Sequence, residues 1–202
     1  MAREQYHHGN LREALIQAAL VLIAERGISG FAVAELARAV GVSAAAPYRH
    51  FRDRDAVLAE VSRRGFEALE ADMRAALAAR VTDPVAALEA CAQAHLAFAG
   101  REGPVYGAMF DPHFPIAAHP DLARARDAAL SVLRGAAQIA CDRSRDARRP
   151  PSRMVALHIW ALTHGIAALY LGPSGAGQLP MTPADLLEAG LLVYLQSLAL
   201  TD

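Results

Sequence analysis

The sequence contains no lysine: all twenty residues of the Lys+Arg class are arginine. Guanidinium groups suit bidentate contact with phosphate, although a biased genome composition explains an arginine-for-lysine exchange equally well. Cysteine is nearly absent too. Cys91 and Cys141 make no disulfide framework and have no CxxC partner, so both read as buried apolar residues of a reducing cytosol; an oxidation switch is the alternative. No apolar run reaches the roughly 18 residues of a membrane span. HIWALTHGIAALYL comes closest, and its two histidines and short length point to a buried helix. The N-terminus lacks a charged region followed by an apolar stretch and cleavage site, which argues against secretion. These absences point to a cytoplasmic chain with no membrane partner.

Organised chemistry is missing as well. No Ser-His-Asp order and no pair of carboxylates stands in a supporting context. The glycine-rich stretch 172–177 has no Lys-Ser/Thr and no strand before it, so it reads as a linker. His95, His113, His119, His158 and His164 are not spaced as ligand pairs with an acid or cysteine. The expectation is no enzyme, no metal and no cofactor.

What is present is apolar helix. Hydrophobic residues make up 54% of 202, enough for a large core. The net charge of −1 divides unevenly. Residues 1–54 hold seven arginines against five acids, with three histidines besides, and residues 55–202 hold thirteen against sixteen. The slight basic excess therefore sits at the N-terminal end. No alternating strand pattern occurs. Helical periodicity runs from Asn10 to Arg26, with Leu11, Ala14, Leu15, Ala18, Ala19 and Leu22 on one stripe, and Asn10 with Glu13 resembles a capping box. After Phe51 a long helix places Val57, Val61, Phe66, Leu69, Met73 and Leu77 inward. Thr82-Asp83-Pro84 starts a helix to about Ala99, Gly100 to Gly103 marks a break, and a short helix covers 104–110. DPHFPIAAHPD reads as an irregular loop. Further helices cover about 120–143, 152–172 and 183–200, the first two separated by the arginine-rich loop DRSRDARRPPSR.

The most informative stretch is Val33 to Phe51, VAELARAVGVSAAAPYRHF. Val33, Leu36, Ala37 and Val40 form the buried face of a short helix. Gly41 supplies the positive φ of a sharp turn, Val42 plugs it, and Ser43 offers an oxygen to the N–H groups of a second helix. That helix presents Ala44, Ala45 and Ala46, then Tyr48, Arg49 and His50, before Phe51 returns to the core. Small residues let a helix lie deep in a major groove while polar ones reach phosphates or base edges. This is a helix-turn-helix. Pro47 lies early in the second helix, where it lacks an N–H and restricts Ala46. The helix therefore begins later or takes a 3₁₀ form. Ala32, just before the first helix of the pair, carries no capping oxygen.

The pattern LA-x-x-x-GVS-x-x-x-x-Y-x-HF resembles the DNA-binding domain of TetR-type transcriptional regulators. LREALIQAALVLIAERG resembles that family's first helix, and Arg54-Asp55-Ala56-Val57-Leu58 the start of its fourth, where lysine is more usual than Arg54. YHHGNLREAL and HIWALTHGIAALYL, with Trp160, His164 and Gly165, resemble a subfamily named for a Trp-His-Gly signature. The resemblance implies an all-α chain. Residues 1–54 would form an N-terminal three-helix helix-turn-helix domain, and residues 55–202 a C-terminal helical bundle for effector binding and dimerisation. It also implies DNA contacts from Ser43, Ala44, Ala45, Tyr48, Arg49, His50 and Arg54. Arg49 is the leading candidate to touch a base, with a surface ion pair as its alternative. Arg3, His7 and His8 could follow the DNA backbone or belong to a disordered tail.

Candidates to line an effector pocket are Phe66, Met73, His95, Phe98, Tyr106, Met109, Phe110, Phe114, Trp160 and His164; for each the alternative is simple core packing. Gly165 would let another backbone approach. Leu157, Leu162, Leu169 and Tyr170, with Leu187, Leu191, Tyr194, Leu195 and Leu198, make the last two helices apolar on more than one side, as a homodimer interface requires. The expected partners are a double-stranded operator, a small apolar effector and a second copy of the chain. Such a chain is a ligand-responsive repressor; an activator, an effector-independent regulator, or a small all-α enzyme or carrier on the same scaffold remain open.

Overall fold

The computed structural model describes residues 8–80, 82–143, 150–171 and 179–198, with backbone alone for 8–10. Among them are eight α-helices and no strand: α1 (His8–Arg26), α2 (Val33–Ala39), α3 (Arg54–Ala78), α4 (Pro84–Arg101), α5 (Gly103–Met109), α6 (Pro120–Arg143), α7 (Ser152–Leu171) and α8 (Pro183–Ser197). Two 3₁₀ turns, Pro47–Arg49 and Ile116–Ala118, interrupt the connections.

Local chemistry sets the helix starts. The Asp53 carboxylate accepts the Ala56 N–H at 2.7 Å ahead of α3. Asp83 accepts from Val85 and Ala86, each at 3.0 Å, with Pro84 in the first helical position where no N–H is needed. Thr182 and Asp185 cap α8 reciprocally, at 3.1 and 3.3 Å. At α2, Ala32 has no oxygen to give. The Glu35 carboxylate supplies the cap instead, accepting from the Ala32 N–H at 2.9 Å while Arg26 holds its other oxygen at 2.9 Å. The expected break at Gly100 falls later, since α4 continues through Gly100 to Arg101 before α5 begins.

The chain divides into two compact units. The first comprises Met1–Gly65 and Pro104–Ala123, the second Phe66–Gly103 and Arg124–Asp202. The core of the first unit joins Leu15, Ile16, Ala19, Leu22 and Ile23 of α1 to Phe31, Leu36 and Phe51, to Val57, Leu58 and Val61 of α3, and to Ala108 of α5. Val105 and Phe114 pack against it. Leu15, Ala19 and Leu22 belong to the stripe read from periodicity; Ile16 and Ile23 widen it. At Gly65 the approach is closest, for a Cβ there would lie 2.5 Å from Met109 Sδ and 2.7 Å from Val105 Cγ1. Only glycine lets α5 pass α3 at that distance.

In the second unit α4 packs on α7 and α8, and α7 on α8. α7 buries Val155, Ala156, Ile159, Thr163, Ile166 and Ala167, and α8 buries Leu187, Leu191 and Leu195. By length and composition alone α7 could cross a membrane, with a mean hydropathy of 1.5. Its buried face meets α4 and α8, as in a bundle helix.

Candidate nucleic-acid interface

The turn after α2 is built on Gly41, whose φ of +72° places it in the left-handed region where an L side chain is strained. The Gly41 and Val42 N–H groups bond back to the carbonyls of Arg38 and Ala37, at 3.3 and 3.0 Å. No α-helix follows. Residues 43–46 form a turn closed by the Ala46 N–H on the Ser43 carbonyl at 3.0 Å, and Pro47–Arg49 form a single 3₁₀ turn. The expected second helix is thereby corrected to one tight turn beginning at Pro47. Proline fits its first position because its missing N–H costs nothing there. The His50 and Phe51 N–H groups both bond to the Pro47 carbonyl at 2.9 Å. Ser43 serves this turn through its carbonyl rather than, as expected, through its hydroxyl.

The result is a polar ridge on apolar anchors. Pro47 and Phe51 are buried, while Ser43, Ala44, Ala45, Tyr48 and Arg49 are exposed and His50 and Arg54 half-buried. Tyr48 leaves 54% of its surface in water. Arg49 makes no ion pair among the described residues, so the ion-pair reading of that residue loses support. Arg54 lies 3.6 Å from Asp55. Arg52, which the sequence reading passed over, projects beside the same ridge and pairs with Asp53 at 2.9 Å. Its position between the buried Phe51 and the start of α3 was the available signal. Arg3 and His7 lie outside the described residues, as does the His8 side chain.

Behind the ridge, two arginine–carboxylate pairs, Arg12–Glu60 and Arg64–Glu13, tie α1 to α3, and two more within α3 brace Glu60. Glu60, 8% exposed, accepts from Arg12 at 2.9 Å, from Arg63 at 2.8 and 3.0 Å, and from Arg64 at 2.8 Å. Arg64 reaches on to Glu13 at 2.6 Å. The Arg12 guanidinium also lies 5.2 Å over the Phe51 ring. Burial alone would raise the Glu60 pKa, but the hydrogen bonds from Arg63, Arg12 and Arg64 outweigh it and hold the carboxyl at about 2.

The ten effector candidates fall into two groups. Phe66, Met73, His95, Phe98, Trp160 and His164 belong to the second unit, and Tyr106, Met109, Phe110 and Phe114 to the first. In the second unit the first four are fully buried and Trp160 and His164 half-buried. The His95 and Trp160 rings meet at 4.6 Å with a 48° tilt. Burial and then the field of His164 push His95 down to about pKa 3, so it is neutral at physiological pH; burial lowers His164 as well. In the first unit Tyr106 and Phe110 meet at 4.6 Å, Met109 packs over Gly65, and Phe114 stacks on His119 at 5.1 Å. Phe114 also lines a cleft of about 500 Å³ with Arg54, Asp111 and His113.

On α7 and α8 the large exposed apolar residues are Met154, Leu157, Leu169 and Leu171, then Leu192 and Val193. Leu157 and Leu169 are those expected at a dimer interface. Leu187, Leu191 and Leu195 instead fill this chain's own core, and Leu192 and Val193 take the outward face. Tyr194 bridges the two helices through a 2.9 Å hydrogen bond with His158. Gly165 is exposed and a Cβ there would meet nothing within 4 Å; the close backbone approach expected at it is not made among the described residues.

Residues 15–61 match the family described as bacterial regulatory proteins, tetR family, and residues 88–194 that of the tetracyclin repressor-like C-terminal domain. No curated protein matches the sequence. Among solved structures, a protein of unknown function from Rhodococcus sp. RHA1 is 30% identical, with a TM-score of 0.80, covering 98% of this chain and all of that one. The TetR family transcriptional regulator PfmR from Thermus thermophilus is 22% identical, with a TM-score of 0.71 over 90% of this chain and 97% of its own. AibR in complex with isovaleryl coenzyme A and operator DNA is 16% identical, with a TM-score of 0.69 over 91% and 97%.

Proposed function

This chain belongs to the TetR family of bacterial regulatory proteins, and from that premise we propose that it is a ligand-responsive repressor. It binds a near-palindromic operator as a homodimer and leaves it when a small apolar effector binds. Residues 1–54 carry DNA binding, and residues 55–202 carry the effector site and the dimer interface. The observation that carries this reading is the ridge of Ser43, Ala44, Ala45, Tyr48 and Arg49. Tyr48, more than half exposed, and Arg49, with no ion pair among the described residues, stand between two buried anchors, which leaves the phenol and the guanidinium available to phosphates or base edges. Small residues at 44 and 45 allow close entry to a major groove. Tyr48, His50 and Arg54 are assigned to phosphates, and Arg49 to a base edge or phosphate.

In a two-fold dimer the two ridges would read half-sites about 34–36 Å apart. The solvent-exposed Leu157, Leu169, Leu192 and Val193 supply the apolar surface for pairing. The six candidates of the second unit, His95 and Trp160 among them, are the favoured effector lining. The complex of AibR with a ligand and operator DNA together supports a reading in which one chain binds both. The effector acts only if it binds the DNA-free conformation more tightly than the DNA-bound one. α3 carries Arg54 at its first residue and Phe66 and Met73 farther along, so it is the element to transmit that difference.

Selection from a random duplex library at near-physiological salt tests the reading. A palindrome should be enriched, and binding to it should fall steeply with salt as counterions are released. Tyr48→Ala and Arg49→Ala should each weaken that binding about tenfold or more while leaving the thermal midpoint unchanged. A folded protein that enriches nothing, or two variants that bind like the wild type, would overturn the assignment.

A further inference from the structure

In the second unit the end of α3, the start of α4 and the last third of α6 enclose a half-open cleft of about 250 Å³. Its wall is apolar. Leu77 and Ala78 come from α3, Pro84 and Ala87 from α4, and Ile139 from α6, with half of the Ile139 surface in solvent. Two arginines stand at its rim, Arg74 and Arg80. None of the ten effector candidates lines it.

The rim charges are unequal. Arg74 gives Nε and Nη2 to the same Glu70 oxygen, at 2.8 and 2.7 Å, so it is half-neutralised. The Arg80 guanidinium has no carboxylate partner among the described residues. The nearest acid along the chain, Asp83, already accepts the Val85 and Ala86 N–H groups. The cleft therefore has, at the rim of an apolar floor, one guanidinium that no carboxylate among the described residues contacts. That complements a ligand with one negative charge and a hydrocarbon tail, rather than a neutral alkane or a phosphate dianion.

We propose that this cleft is a small-molecule site for an amphipathic monocarboxylate. The tail lies along Leu77 and Ile139, and Arg80, assisted by Arg74, holds the carboxylate. At ~30 Å³ per atom of water size, the volume takes about eight heavy atoms, the carbons of an eight-carbon acid whose two oxygens stay at the arginine rim. The site is independent of the operator reading, and its test needs no DNA.

Isothermal titration calorimetry of the full chain with octanoate, and with 1-octanol as the uncharged comparator, tests this. Octanoate should bind saturably at one per chain, and 1-octanol about tenfold more weakly. Arg80→Gln should bring octanoate down to the affinity of the alcohol. Ala78→Phe adds a ring at an exposed position on the cleft wall, so it should abolish binding without disturbing the core, as circular dichroism will check. No saturable binding, equal affinity for the two compounds, or octanoate binding untouched by both variants would overturn the proposal. If instead only Trp160→Ala removes binding, octanoate occupies the group around His95 and the cleft is not its site.

Discussion

At the residue scale, Glu60 stands out because one buried carboxylate is shared by Arg12, Arg63 and Arg64. Its folded pKa of about 2 lies below the ordinary 4.5. Ionised Glu60 therefore stabilises the fold in full above about pH 4.5, and that contribution is lost as pH falls toward 2. The shift corresponds to about 3 kcal/mol at 1.36 kcal/mol per pKa unit. Glu60→Gln should cost ~2–3 kcal/mol in urea denaturation at pH 7, and the gap from wild type should nearly close only by about pH 2. An equal gap at both pH values would mean that the loss is one of shape, not charge. Sequence reading could not find this hub. Arg63 and Arg64 sit one turn from Glu60, an ordinary surface pattern, and the partner that turns it into a buried tie, Arg12, is 48 residues away.

At the element scale, Gly41 and Gly65 of the first unit should respond differently to the same methyl group. Gly41→Ala meets open space but keeps φ at +72°, so it should cost about 1 kcal/mol through backbone strain. Gly65→Ala drives a Cβ into Met109 and Val105 and should cost ~1–3 kcal/mol, with α5 displaced. Denaturation curves separate the two if Met109→Ala restores stability in the Gly65 variant only. The starts of α4 and α8 were legible because they are written locally, in Asp83-Pro84 and in Thr182-Pro183, as was the turn at Gly41. Pro47 was legible too, as a residue that shortens or tightens the helix around it. What could not be read is a matter of facing. α8 is apolar on several sides, and periodicity does not say that Leu191 turns inward while Leu192 and Val193 turn out. The effector candidates were gathered by side-chain type, and type is silent on which unit a helix joins; Tyr106 and Met109 belong to the first unit on α5, whereas His95 and Trp160 meet in the second.

At the scale of the whole molecule, the exposed apolar face of α7 and α8 leads to a prediction about mass. Leu157→Glu and Val193→Glu change residues that are 50% and 69% exposed in the single chain, so neither should unfold it. If that face pairs two copies, analytical ultracentrifugation should find wild type at twice the 21.5 kDa chain mass and both variants near one. Operator affinity should fall with the dimer, because each monomer reads one half-site. Wild-type protein sedimenting as a monomer would remove this interface and the palindrome with it.

The first unit is stitched from two separate stretches, Met1–Gly65 and Pro104–Ala123. Ala108 completes its core and Val105 and Phe114 cover it, so Phe51, the anchor of the ridge, shares a core with side chains that arrive from beyond residue 100. A cut after Gly65 would not free a portable head; it would strip a wall from one. Anyone grafting this reading head onto another body, and any recombination event that did so in nature, would have to carry the 104–123 insert along with it. On the proposed DNA reading, specificity for an operator is thus inherited as a discontinuous module, passed on in two pieces or not at all.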